Sequence, residues 1–192
     1  MKIIISISLL TVLFAGFCLV NGQTPAGKCS LDIKEKAQRD KAVKSVITRR
    51  QSDIKTALSV ATKYIKDPLR VGTARSAVEL LGELRAEEAV NLLAENITFK
   101  AFYKSSKRPQ PAEDLYPAIK ALSRIGMKSI DPVLKKACAE PGEEVTDCSA
   151  RVIFAVLGKD LAKKLLDQQI ANASSAKQKT ALVALGKRVQ SL

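Results

Sequence analysis

Apolar residues recur every three or four positions through most of this chain, with charged residues between them. That spacing lines one face of a helix and predicts amphipathic helices rather than strands. Ile54, Ala57, Leu58, Ala61 and Ile65 form one stripe, and Ser52 ahead of them is a candidate N-cap. Asp67-Pro68-Leu69 then interrupts the pattern; Asp67 suits a cap and Pro68 a first helical position. Ala74, Ala77, Val78 and Leu81 make the next stripe, and Ala89, Val90, Leu93 and Ile97 the one after it. The segment "GELRAEE" between them predicts a tight turn or a sharp bend. Upstream, Ile33, Ala37, Val43, Val46 and Ile47 give a rougher stripe whose other faces are crowded with Lys and Arg.

The helix-break-helix unit recurs. A shift of 41 residues places Ala118, Ile119, Leu122 and Ile125 where Ala77, Val78, Leu81 and Leu84 stand. The same shift places Val133 and Leu134 where Leu92 and Leu93 stand. A shift of 76 turns Leu81-Gly82 into Leu157-Gly158, and after a three-residue deletion Leu165–Ile170 matches Leu92–Ile97. A last half-unit carries Leu185-Gly186. Units of roughly 35–45 residues fall in the period range of helical solenoids. The run "DPLRVGTARSAVELLGELRAEEAVNLL" resembles a HEAT repeat: Asp-Pro, Ala at helical spacing, Leu-Gly, then a second amphipathic helix. The resemblance covers residues 67–192 well and 31–66 poorly. The unit at 113–138 departs from it, because Ser123 follows Leu122 and the glycine waits until Gly126. It implies an all-α fold for 31–192: a right-handed α-α superhelix, a HEAT-like solenoid of about four helical hairpins plus a C-terminal capping helix. One hairpin buries a single face, so stacking of neighbours must complete the core. The glycines after Leu are read as helix-ending residues, where a left-handed backbone costs least.

Composition agrees with helices. Charged residues make up 27% and aromatics only 4%, with no Trp, so the core must be aliphatic. The N-terminus reads differently. "MKIIISISLLTVLFAGFCLVNG" has one cation, Lys2, and an apolar run from Ile3 to Val20, the pattern of a secretory signal peptide spanning 1–22. An uncleaved anchor is the alternative. Residues 23–30 then form a flexible linker. Of the net charge of +13, Lys2 leaves with the signal peptide and +12 remains. The expected location is secreted or periplasmic. A basic protein there meets acidic lipid headgroups, glycans, nucleic acid or proteins, although charge of this size also serves solubility alone.

Candidate chemistry is sparse. The chain has no His, which excludes Ser-His-Asp and Cys-His catalysis and His metal sites. No Gly-rich phosphate loop, Cys-x-x-Cys pair or calcium loop is present, so no cofactor or metal is expected. Three cysteines follow the signal segment: Cys29, Cys138 and Cys148. In an oxidising compartment pairing is the default. Cys138–Cys148, closing a short loop around Pro141-Gly142, is the favoured disulfide, worth about 2–3 kcal/mol. Pairing of Cys29 with either is the rival. Asn96-Ile97-Thr98 and Asn172-Ala173-Ser174 match the glycan-acceptor pattern.

The stretch 96–116 interrupts the repeats and mixes aromatic with basic side chains. Phe99, Lys100, Phe102, Tyr103, Lys104, Lys107 and Arg108 form the candidate binding segment. In the plainer reading Phe99 and Phe102 pack beneath the helices and the lysines solvate the loop. Charge is uneven: residues 67–97 carry three basic and six acidic side chains, whereas 98–138 carry nine and three. The expected role is a non-catalytic protein-binding scaffold. A binder of an acidic polymer or membrane surface is the first alternative, and an enzyme using Lys or carboxylate chemistry the second. Some HEAT-like proteins bind DNA and some act on bilins; a signal peptide argues against both here.

Overall fold

A computed structural model describes residues 28–101 and 111–192, and among them all regular structure is helical. The signal-peptide reading of 1–22 lies outside the described residues. The chain divides into two units, 1–44 and 45–192. The described part of the first unit is the start of α1 (Lys28–Tyr64). It is exposed from Glu35 to Lys44, and Arg39 pairs with Glu35 one turn away at 3.1 Å. The linker expected to reach residue 30 is therefore helical from Lys28.

The second unit begins within α1. Ser52 is not an N-cap but lies inside this continuous helix, its carbonyl accepting from Thr56 Oγ1 at 2.9 Å. Ile54, Ala57, Ala61 and Ile65 are buried as the stripe requires, whereas Val46 and Ile47 on the earlier turns are exposed. Asp67 shapes the following turn instead of capping a helix. Its Oδ1 accepts from the Leu69 amide at 2.9 Å and its carbonyl from the Arg70 amide at 3.1 Å. Pro68 thus sits in the turn, and α2 (Val71–Glu83) starts after Arg70.

From there the hairpins follow the predicted stripes. A 3₁₀ turn, Glu87–Ala89, leads into α3 (Val90–Glu95). The short α4 (Ala112–Leu115) precedes α5 (Pro117–Ile125), which Pro117 opens at its first position. A second 3₁₀ turn, Met127–Ser129, leads into α6 (Ile130–Ala139). Then come α7 (Glu143–Ala171), broken at Gly158, and α8 (Ala176–Ser191). The Ser175 hydroxyl caps α8 by accepting from the Gln178 amide at 3.2 Å. Helix α2 packs on α5, α5 on α7 and α7 on α8, while α3 packs on α6 and α6 on α7 and α8. Leu81, Leu93, Ile97, Ile119, Leu122, Ile153, Leu166, Leu182 and Leu185 are fully buried, so the core is aliphatic. Each such side chain contributes about 1.5–3 kcal/mol.

The glycines divide into two roles. Gly82 is not left-handed; it lies inside α2, where an added Cβ would meet the Ala121 Cα at 2.6 Å. It is Gly because α2 and α5 touch backbone to backbone. The left-handed residue that ends α2 is Arg85, at φ 47°. The Ala86 amide there donates to Leu81 O and the Arg85 amide to Gly82 O, both at 3.0 Å, which is the Schellman pattern. Arg50 of α1 donates to Leu84 O at 2.7 Å and satisfies a further end carbonyl. The next left-handed residue is Gly126, 41 positions on, at φ 87°. Gly158, at φ 70°, does the same between the two halves of α7. Of the Leu-Gly pairs, Leu157-Gly158 thus ends a helix with a left-handed glycine as expected, whereas Leu81-Gly82 does not.

Three of the ion pairs between helices join residues 41 positions apart. Glu83 of α2 pairs with Arg124 of α5, Glu95 of α3 with Lys136 of α6 at 3.4 Å, and Asp147 of α7 with Arg188 of α8 at 2.5 Å. Lys136 is buried, and Glu140 at 2.7 Å is its second carboxylate. Burial alone would pull its pKa down; the two carboxylates outweigh that and raise it.

Candidate functional site

The first two turns of α7 carry Glu143, Glu144 and Asp147, and the facing turns of α8 carry Lys177, Thr180, Ala184 and Arg188. Lys100 and Tyr116 close one side. Together with Pro141 and Gly142 they line an open groove of about 970 Å³. Its wall is a chain of ion pairs. Glu144 Oε1 receives Lys100 Nζ at 2.6 Å and the Tyr116 hydroxyl at 2.5 Å. The Lys100 ammonium also lies 5.7 Å from the centre of the Tyr116 ring. Asp147 receives Arg188 at 2.5 Å and Arg151 at 2.9 Å, and Arg151 reaches Glu113 of α4 at 3.5 Å. Lys177 donates to the Ala139 carbonyl at the end of α6 at 3.3 Å.

These contacts favour the charged forms of Lys100, Glu144 and Asp147 and the protonated form of Tyr116. The hydrogen bond to Glu144 raises the Lys100 pKa, and the bonds from Lys100 and Tyr116 lower that of Glu144. Burial and then Glu144 raise the Tyr116 pKa. Burial would raise the Asp147 pKa, but Arg151 and Arg188 outweigh it and hold it below the usual carboxylate range. Three cations and three carboxylates therefore line a groove whose charges largely cancel, with Pro141, Ala181 and Ala184 between them.

Of the two described members of the sequence-predicted segment, Lys100 reaches this groove. Phe99 is half-buried and packs against the core, as the plainer reading of that segment has it. Phe102, Tyr103, Lys104, Lys107 and Arg108 lie outside the described residues. Both flanks of that stretch are tied down: the Ala101 amide donates to Leu115 O at 2.9 Å, and Arg75 donates to Ala101 O at 3.3 Å. Glu144, Asp147, Lys177 and Arg188 were not singled out from the sequence. No local motif marks them.

The structure does not join Cys138 to Cys148, and both are free thiols among the described residues; the side chain of the rival partner Cys29 lies outside them. Cys138, near the end of α6, lines a recess with Gln169, Gln178 and Leu182. Cys148, on the second turn of α7, is fully buried beside the groove's carboxylates. The intervening turn presents the two to different surroundings. Burial, with the Asp147 and Glu144 charges, pushes the Cys148 thiol up to about 12. Burial also raises the Cys138 pKa. Of the two glycan-pattern asparagines, Asn172 is exposed, whereas the Asn96 amide nitrogen is occupied by Leu92 O at 2.8 Å.

Comparison with protein-family models, curated proteins and solved structures found no match to the chain.

Proposed function

We propose that this chain is a non-catalytic, HEAT-like α-solenoid that binds a polypeptide partner, secreted or periplasmic after loss of residues 1–22. The solenoid reading rests on recurrence in two independent features. Left-handed turn residues fall at Arg85 and Gly126, and inter-helix ion pairs fall at Glu83–Arg124 and Glu95–Lys136, all 41 residues apart. A stack of like units predicts contacts between equivalent positions of neighbours.

The observation that carries the binding reading is the groove between α7 and α8, lined by alternating cations and carboxylates over small apolar side chains. A polyanion needs a surplus of cations. A groove of balanced charge suits a polypeptide segment carrying both signs, with specificity from the pattern. A catalytic Lys or Tyr works with a lowered pKa and a general acid Glu with a raised one. The shifts here run the opposite way, which favours recognition over proton transfer.

Selection of displayed peptides against the full chain tests this. Wild type is expected to enrich sequences carrying both charges, with a shallow dependence of affinity on salt. Ala184→Trp fills the groove from an exposed position and is expected to weaken those peptides about tenfold or more. Binding of heparin or DNA with a steep salt slope, and no peptide enrichment, would overturn the reading in favour of an acidic polymer.

A further inference from the structure

A second groove lies in the same unit, between the C-terminal half of α1 and α2, and takes no part in the ion-pair network above. Its volume is about 540 Å³, and Ala57, Val60, Gly72, Ser76, Ala77 and Leu80 supply much of its lining. Small residues form the floor. Gly72, Ser76 and Leu80 succeed one another at intervals of four along α2, so they share one face. Beside Gly72 a Cβ would meet nothing within 4 Å. Large apolar side chains stand unburied around this hairpin: Leu80 is 42% exposed, Leu69 91%, Val46 68% and Ile47 50%. Val46 lies two heptads before Val60 on α1, on the row that leads into the groove.

The shape and the charge each narrow the occupant. A valley between two helices, floored by small residues, lets a third helix approach at the usual interaxial distance of about 8–10 Å. From Val46 to Val60 the row spans about 21 Å at the helical rise, close to four turns. Asp53 stands midway along that row, and basic residues flank it. Arg49 and Lys63 stand one heptad on either side of Thr56, which lines the groove. Residues 45–70 hold six Lys or Arg against Asp53 and Asp67. A second copy of the chain would bring like charges together. A lipid interface favours a broad face of large apolar and aromatic residues, whereas the floor here is Ala, Ser, Thr and Gly.

We infer that this groove is a docking site for an amphipathic helix of a partner protein, its apolar face seated on Val60, Gly72, Ser76 and Leu80 and its acidic flank facing Arg49 and Lys63. Recognition then follows the helix-in-groove mode, with anchors three and four residues apart.

The test uses a labelled helical peptide of about 18 residues, Leu and Ala on one face and Glu on the other, and a twin with Lys for Glu. The full chain is expected to bind the acidic peptide and to bind its basic twin at least about tenfold more weakly. Gly72→Leu occupies the valley from an open position in a helix, so circular dichroism and the unfolding midpoint are expected to hold while acidic-peptide affinity falls about tenfold. A double charge reversal, Arg49→Glu with Lys63→Glu, is expected to weaken the acidic peptide and strengthen the basic one. Equal binding of the two peptides, no binding of either, or unchanged affinity in Gly72→Leu would overturn the proposal. So would sedimentation showing wild-type self-association that Gly72→Leu abolishes, which assigns the groove to a second copy. Binding of phosphatidylglycerol vesicles that the same variant abolishes would assign it to lipid.

Discussion

Glycine after leucine occurs three times in this chain, and the three residues answer to different forces. Gly82 permits backbone contact with Ala121, Gly158 supplies a left-handed turn, and beside Gly186 an added Cβ would meet nothing within 4 Å. Gly82→Ala should therefore destabilise by about 1–3 kcal/mol, because crowding against a backbone outweighs the gain in helix propensity. Gly186→Ala should stabilise by about 0.5–1 kcal/mol. Denaturant unfolding of the two variants checks both signs. Equal effects would remove the distinction between a packing glycine and an incidental one.

Between elements, Asp147 is where α7 and α8 lock together. It joins Arg188 of α8 and Arg151 of its own helix, and through Arg151 it reaches Glu113 of α4. Its pKa is lowered in the folded chain, and an unfolded Asp titrates near about 3.9. The unfolded state therefore binds the proton first as pH falls. The stabilisation is fully present above about pH 4 and is lost as pH falls through the lower, folded-state value. Asp147→Asn is expected to cost about 1–2 kcal/mol at neutral pH, moderated because Arg188 is partly in water. It should also flatten the acid limb of a plot of unfolding midpoint against pH. Glu144, lowered in the same direction, keeps that limb from vanishing. An unchanged acid limb in Asp147→Asn would show that the pair contributes nothing to stability.

At the scale of the molecule, the packed helices protect Cys148 without a crosslink. It is fully buried and its thiol is held protonated, whereas Cys138 is half-buried beside a recess. Mass mapping after brief alkylation of the native chain should find Cys138 modified well before Cys148. Cys148 should become reactive only as unfolding proceeds. If neither reacts until a reductant is added, the two are joined, and the free-thiol arrangement is wrong.

The helical period determined most of what the sequence could. Ala74, Ala77, Val78, Leu81, Ala89, Val90, Leu93 and Ile97 are all buried, because a stripe at helical spacing has only one face to hide. The same logic failed at Val43, Val46 and Ile47, which share the pattern but are exposed. A stripe states that a face is apolar, not that another element covers it. The turn positions were blurred for a related reason. Leu-Gly is visible at 81–82, yet the chain reverses at Arg85, whose left-handed backbone is held by tertiary support from Arg50. The grooves were illegible, since their walls join side chains such as Lys100 and Glu144 that no local rule connects. Periodicity is local and survives in one dimension. Close approach, charge pairing and concavity exist only once distant helices are set side by side, and those the tertiary structure alone decided.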